Sequence, residues 1–360
     1  MKQILCLSYA PWRARGARAQ QLLARMADAQ ILFFEPAPSK GAPTPKQGRR
    51  VRSHITVYTL PAPLPGPGEQ SVFARRRLDK TTNFIQQTMR KHHFREPVLW
   101  CTAPTHAHFL DRLAYRGVIY DCHRFWDEAF LDMESDLTCH AEVVFAASKG
   151  LIKRLSPCSD NIALLPNGVN PLLFIQQEQS AVPSVMSGLP GKLILGRVGA
   201  VTGKVDLKPL LHAARQRPEW TFVLMGSATR QAIQTLKDQD NIVLTGAVNS
   251  LDLPDYLARC DVLFDLFRMD RQGSDVVPPT IYEYFAAGKP VVTVADPSVP
   301  DPFPQLIHSS YDGEGFLRAC REALEEDARF SSQRRAFAQH SSWANRADQV
   351  ASIFQATGLF

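Results

Sequence analysis

Three short stretches hold residue types able to do chemistry. Residues 275 to 292, DVVPPTIYEYFAAGKPVV, set Asp275 and, eight positions later, Glu283 in otherwise apolar surroundings. Residues 118 to 130, VIYDCHRFWDEAF, cluster Asp121, His123 and Asp127. Residues 195 to 207, LGRVGAVTGKVDL, place Arg197, Gly199 and Lys204 in a glycine-punctuated loop after an apolar run. A carboxylate or an imidazole is what general-base work needs. Each stretch also has a plainer reading: Asp121 can cap a helix, Glu283 can be a capping or surface acid, and Arg197 and Lys204 can be loop charges.

The elements that must position these residues follow from local signals. Pro278 and Pro279 suit a helix opening, where a missing N–H costs nothing, and Gly288 suits its end. The β-branched run Val291, Val292, Thr293, Val294 then reads as a buried parallel strand, giving loop, helix, strand. The same alternation runs through the chain. Strands are expected at 3–9, 29–35, 54–60, 97–101, 117–122, 142–148 and 161–166, with clear helices at 16–27 and 71–92. After a polar stretch, QQEQSAVPSVMSGLPG, a second set begins, with strands at 192–199, 220–226, 241–246, 261–267 and 290–295 and helices between them. Three more helices, near 314–325, 332–339 and 343–356, close the chain. Two Pro/Gly-rich segments, 37–50 and 61–70, read as surface loops.

This pattern predicts an α/β protein of two doubly wound, Rossmann-like domains: residues 1–170, a linker at 171–190, a five-stranded domain over 191–340, and a last helix at 341–360. Ligands of such sheets bind outside the strand carboxyl ends, so the expected site is a cleft between the domains. The 360 residues and 45% hydrophobic content permit full-sized cores. Neither a signal peptide nor an apolar run long enough to span a membrane is visible, so a cytoplasmic protein is expected. Seven cysteines without a CxxC pair suggest neither a disulfide framework nor a zinc site. Charge is uneven: residues 1–180 carry 23 Lys plus Arg against 15 Asp plus Glu, the remainder 18 against 20. Clusters at Arg49, Arg50 and Arg52, at Arg75, Arg76 and Arg77, and at Arg90 and Lys91 could face anionic lipid head groups or phosphates, or simply solvent. No nucleic-acid motif accompanies them.

Several pieces in order carry a resemblance: PNGVNPLLF (166–174), LGRVGAVTGKVDL (195–207), WTFVLMG (220–226), NIVLTGAV followed by LPDYLARCDVLF (241–264), the acid-x7-acid stretch ending YEYFAAGKPVV, and SSW (341–343). Together they resemble the nucleotide-sugar-dependent glycosyltransferases of the GT-B fold over nearly the whole chain. The opening SYAPWRARGARAQQLLARMADAQILFFEPAP is similar, more loosely, to teichuronic-acid-type polysaccharide glycosyltransferases. The resemblance implies that the C-terminal helix crosses back to the first domain and that Glu283 holds the ribose hydroxyls of the donor nucleotide. It implies that Asp275, where the family more often has glutamate, contacts the donor sugar. Arg197 and Lys204 map to the basic residues that bind the diphosphate, although relatives usually place glycine after the lysine and here Gly203 precedes it. The backbone of Gly199 and Ala200, and that of Gly273 and Ser274 ahead of the helix, would then approach the phosphates. Gly16 would let backbone approach the donor sugar, with Trp12, Arg13 and Arg18 shaping the acceptor side, and Asp121 or His123 would contact the transferred sugar or activate the acceptor.

The expected reaction moves a sugar, a hexose, from a nucleoside diphosphate sugar to a hydroxyl acceptor in cell-surface polysaccharide assembly. No metal and no cofactor beyond the donor are expected. The acceptor is expected to be lipid-linked or a saccharide, with the basic first half meeting an anionic membrane and no nucleic acid bound. A nucleotide-sugar epimerase of the same fold and a catalytically silent scaffold are the alternatives. Asp238, Gln239 and Asp240 spell a DxD but read as a turn, His106 and His108 read as surface or packing residues, and no GxGxxG or Walker motif follows any strand.

Overall fold

The computed structural model describes residues 2–14, 17–38, 47–175, 182–189, 193–203, 205–266, 275–294, 303 and 305–359. The chain divides into two compact units, Met1–Asn167 with Trp343–Phe360, and Gly168–Ser342.

The first unit contains β1 (Lys2–Leu7), α1 (Arg18–Leu23), β2 (Ala29–Glu35), β3 (Arg49–Arg52), β4 (Ile55–Thr59), α2 (Val72–Lys91), β5 (Val98–Cys101), β6 (Gly117–Cys122), α3 (Leu131–Cys139), β7 (Val143–Ala146), α4 (Lys149–Leu155) and β8 (Ile162–Leu164). Its strands line up β3-β4-β2-β1-β5-β6-β7-β8, parallel except for β3. The second unit contains β9 (Leu193–Val198), α5 (Lys208–Gln216), β10 (Trp220–Met225), α6 (Arg230–Leu236), β11 (Ile242–Gly246), α7 (Leu253–Ala258), β12 (Val262–Asp265), α8 (Pro279–Ala287), β13 (Val291–Val294), β14 (His308–Ser310), α9 (Gly313–Leu324) and α10 (Arg329–His340). Its sheet runs β11-β10-β9-β12-β13-β14, all parallel. That is the doubly wound order, reversing between β9 and β12 as the first sheet does between β1 and β5.

Two strands escape the sequence reading. Arg49–Arg52 forms an antiparallel edge strand on β4 where a basic loop is expected, because Ser53 and His54 turn the chain back and the edge position tolerates charge. His308–Ser310 makes the second sheet six-stranded instead of five; three polar residues are too few to show a period, and pairing with β13 supplies the strand. The stretch at 171–190, read as a linker, groups with the second unit, and Phe174 and Met186 are buried in its core. The Pro/Gly-rich segment at 37–50 lies in large part outside the described residues.

Each sheet is covered on both faces. In the second unit Val198, Val223 and Leu263 pack with α7, α8 and α10, while Leu195, Phe222 and Phe264 pack with α5 and α9. In the first unit Ile4, Phe33, Trp100 and Phe145 pack with Leu22 and Leu23 of α1. The last helix, α11 (Trp343–Thr357), joins that core through Trp343, Val350 and Phe354. Trp12 also belongs to it, edge-on to Phe33 at 5.0 Å, and so serves the core instead of shaping an acceptor loop. Phe354 is 3% exposed and lies edge-on to Trp100, so Phe354→Ala should destabilise the first unit by about 3–5 kcal/mol in urea unfolding.

Candidate active site

In the second unit the strand order reverses between β9 and β12, where the neighbouring connections leave on opposite faces and backbone polar groups at the strand ends lose ladder partners. Two side chains satisfy them. The Tyr284 hydroxyl of α8 accepts from Val198 N at 2.8 Å and donates to Phe264 O at 3.3 Å, bridging the two strands. Arg197 Nε stands 3.3 Å from Asp265 Oδ1, and its Nη1 donates to Gly199 O at 3.0 Å. Burial pushes the Asp265 carboxyl above the usual carboxylate range, and the guanidinium of Arg197 opposes that rise. Arg197, read as a diphosphate contact, is thus only 8% exposed at its side chain and is neutralised by Asp265. Neither Tyr284 nor Asp265 stood out in the sequence; the one signal was an acid inside the apolar run DVLFDLF.

The loop that follows β9 is pinned by its backbone. Gly199 adopts φ +124°, which disfavours any side chain, and its N–H donates to Met225 O at 2.9 Å. Val201 N donates to Ser227 O at 2.8 Å, and a Cβ on Gly226 would lie 2.3 Å from Gly199 O. The loop therefore runs close over the end of β10. Lys204, Gly16, Gly273 and Ser274 lie outside the described residues.

Helix α8 carries Glu283. Pro278 is its N-cap and Gly288, at φ +69°, its left-handed C-cap, where a Cβ would also meet Arg335 Nε at 2.4 Å. The expected helix and its two stops are therefore present. Glu283 lies in the second helical turn and is half-buried between the buried Tyr282 and Tyr284. Since Tyr284 touches the ends of β9 and β12, Glu283 sits on the turn of helix beside the switch point. Asp275 is half-buried three residues before the N-cap. The same prolines that start α8 remove two N–H groups, and Ile281 N donates to Pro278 O at 3.1 Å, so this helix start presents fewer amides to an anion than an ordinary one.

In the first unit Asp121, at the carboxyl end of β6, is wholly buried and caps no helix. It accepts from Arg18 Nε at 2.7 Å, and Arg18 Nη1 reaches Asn167 Oδ1 at 3.4 Å. Arg18 is 4% exposed, so it anchors the start of α1 to β6 instead of facing an acceptor. Arg18 Nη2 and Asp121 Oδ2 are buried without hydrogen-bond partners among the described residues. His123 is half-buried, with Nδ1 at 3.2 Å from Asp121 O. A carbonyl only accepts, so the neutral ring carries its proton on Nδ1 and leaves the Nε2 lone pair available. Burial pushes the His123 pKa below its ordinary value, against a smaller opposing pull from the Asp121 charge, which favours that neutral form. Asp127 is exposed.

Other groups hold these strand ends. Glu35, closing β2, accepts from Trp12 N at 3.0 Å, Thr59 Oγ1 at 2.8 Å and Arg49 Nη2 at 2.8 Å, fixing the loop after β1. Thr102, after β5, accepts from Tyr9 N at 2.7 Å across the β1/β5 switch point. His106 is 3% exposed, not a surface residue; its Nδ1 accepts from Thr102 N at 3.1 Å and Ala103 N at 3.3 Å. Burial lowers its pKa to about 3. Asp238 to Asp240 lie in the turn after α6, as read.

Residues 193–326 match the family model of glycosyl transferases group 1. That stretch spans β9 through α9 and holds Arg197, Gly199, Asp265 and Glu283. A Bacillus subtilis (strain 168) protein provisionally named teichuronic acid biosynthesis glycosyltransferase TuaH is 26% identical over 275 residues, 68% of each chain. Among solved structures, a sucrose-phosphate synthase from Thermosynechococcus elongatus superposes at TM-score 0.76 and 15% identity, covering 99% of both chains. Anabaena Alr3699/HepE in complex with UDP and glucose does so at TM-score 0.68 and 17% identity, again over 99% of both. The chain has the GT-B fold, and the resemblance read in its sequence is borne out.

Asp121→Ala should cost about 3–5 kcal/mol in urea unfolding because it strands the Arg18 charge, whereas Arg18→Met with Asp121→Leu should recover most of that loss. Acid should weaken the first unit through His106. Its folded pKa lies below the free value of 6.5, so stability is complete above pH 6.5 and is lost as pH falls toward 3. About 2 kcal/mol should be lost between pH 7 and pH 5. Thermal unfolding across that range should show the slope, and His106→Asn should flatten it.

Proposed function

We propose that this chain is a glycosyltransferase that moves a hexose from a nucleoside diphosphate sugar to a hydroxyl acceptor in the assembly of a cell-surface polysaccharide. The observation that carries the reading is Glu283, half-buried on α8 and preceding Tyr284, whose hydroxyl bridges the ends of β9 and β12 at the switch point. A carboxylate there can accept from both ribose hydroxyls, each charged hydrogen bond contributing about 1.5–3 kcal/mol. The diphosphate would lie against the Gly199–Ala200 backbone, with Lys204 and Ser274 supplying a cation and a donor to the leaving group. Arg197 then acts as the strut that holds this loop, its charge already matched by Asp265. Asp275 would contact the donor sugar, as would the backbone at Gly16.

In the transfer the bond from the anomeric carbon to the diphosphate oxygen breaks and one to the acceptor oxygen forms. The acceptor proton goes to a base on the first unit. His123 Nε2 fits that role, with Asp121 setting the ring through its carbonyl while its carboxylate is engaged by Arg18. UDP and glucose bound to HepE support a nucleotide-sugar donor, and the name of TuaH supports a polysaccharide product. The acceptor is read as lipid-linked or saccharide, offered at an anionic membrane surface on the cytoplasmic face. No step in this scheme requires a metal ion or a further cofactor.

Calorimetry with UDP, GDP and ADP sugars should show binding of one of them, and nucleotide should be released only when acceptor is added. Glu283→Ala should lower kcat/KM by about 10- to 150-fold. An unchanged rate would remove the ribose assignment, and full activity in EDTA is expected.

A further inference from the structure

The outer face of α2 sets bare apolar side chains beside cations. Inward, the helix packs through Ala74, Leu78, Ile85 and Met89. Outward, its exposed positions include Val72 and Phe73 in the first turn, 66% and 71% exposed, and the cations Arg75, Arg76 and Lys80. Arg90 and Lys91 continue the exposed cations at the far end, and the helix carries one carboxylate, Asp79. The nearest acids are matched: Asp79 is half-buried and takes Arg112 at 2.7 Å, while Glu69, just before the helix, takes Arg77 at 2.6 Å. An aromatic and a valine left bare beside uncompensated cations suit a bilayer interface, where the ring enters the headgroup region and the cations meet anionic lipid. A polyanion alone would use the cations and leave the ring in water.

The position of this face matters as much as its composition. α2 follows β4 through residues 60–71, so its first turn lies at the carboxyl edge of the first sheet, the edge that carries His123 after β6. His108 Nε2 donates to Pro65 O at 3.1 Å and ties that connection to the turn after β5. Ser71 caps the helix by accepting from Ala74 N at 3.1 Å, which fixes the direction in which Val72 and Phe73 project.

We propose that the outer face of α2, led by Val72 and Phe73, docks the first unit onto an anionic lipid bilayer with its strand-end edge next to the headgroups. The proposal rests on the reading of a lipid-linked acceptor and adds the surface that would meet the membrane bearing it.

The test uses the full chain and extruded vesicles, one set of phosphatidylcholine alone and one containing about 30% phosphatidylglycerol. Flotation should show binding to the anionic vesicles only, weakening with salt. Each cation near such a surface changes partitioning on the order of fivefold, so Arg75→Gln with Arg76→Gln should lower it by about 10- to 30-fold. Arg318→Gln, on the exposed face of α9 in the second unit, should leave it unchanged. Insertion of the ring is read separately with Phe73→Trp. All five native tryptophans are buried, so the introduced indole reports by difference, and its emission should shift to the blue on anionic vesicles and be quenched by brominated acyl chains.

Equal binding to both vesicle types, no binding to either, or a glutamine variant that partitions like the parent overturns the proposal. So does salt-sensitive binding in which the difference emission of the Phe73→Trp variant stays unmoved, which would point to an acidic macromolecule instead of a lipid surface. Donor binding on the same preparations, followed by calorimetry without vesicles, keeps the two readings apart. Its loss would strike the transferase reading and leave membrane docking standing, and the reverse result would do the opposite.

Discussion

The second unit depends on satisfying backbone groups where its sheet changes direction. Parallel strands that diverge at β9 and β12 leave N–H and C=O groups without ladder partners, and each one buried unpaired costs about 1–3 kcal/mol. Tyr284 answers for Val198 N and Phe264 O with one hydroxyl, and Arg197 answers for Gly199 O while its charge is matched by Asp265. Because Tyr284 comes from α8, the helix that carries Glu283 is keyed to the strand ends by the same contact. A shift of that helix would break two hydrogen bonds before it moved the carboxylate.

The first unit uses a related device at its own strand ends. Arg18 and Asp121 form a wholly buried pair, and Glu35 gathers three donors from the loop after β1, from β3 and from β4. A buried ion pair gives little net stability against an apolar pair of similar volume, so its use here is placement. It sets the start of α1 against β6 and leaves His123, two residues on, with its ring directed by the Asp121 carbonyl. In both units an arginine that the sequence offers as a ligand contact is occupied in holding a loop. The two atoms that the Arg18–Asp121 pair leaves unpartnered among the described residues mark where that hold is least complete.

Much of the site was legible wherever its signals were local. Pro278, Pro279 and Gly288 bracket a helix whatever surrounds it, and the helix is found there with Glu283 on it. Gly199, read as a place for close backbone approach, adopts φ +124°, a conformation that side chains disfavour. The strands at 49–52 and 308–310 were missed because charged or very short segments become strands only by pairing with a neighbour.

The sequence by itself determined the alternation of strands and helices, the two α/β units, and the candidate acids, glycines and cations. These rest on periodicity and on backbone preferences that act within a few residues. Only the tertiary structure decided which charges are free to meet a ligand. Arg18 and Asp121 lie 103 positions apart, and Tyr284 and Val198 lie 86 apart. Contacts at such separations are set by how strands order themselves in a sheet, and no local pattern of residues encodes that order.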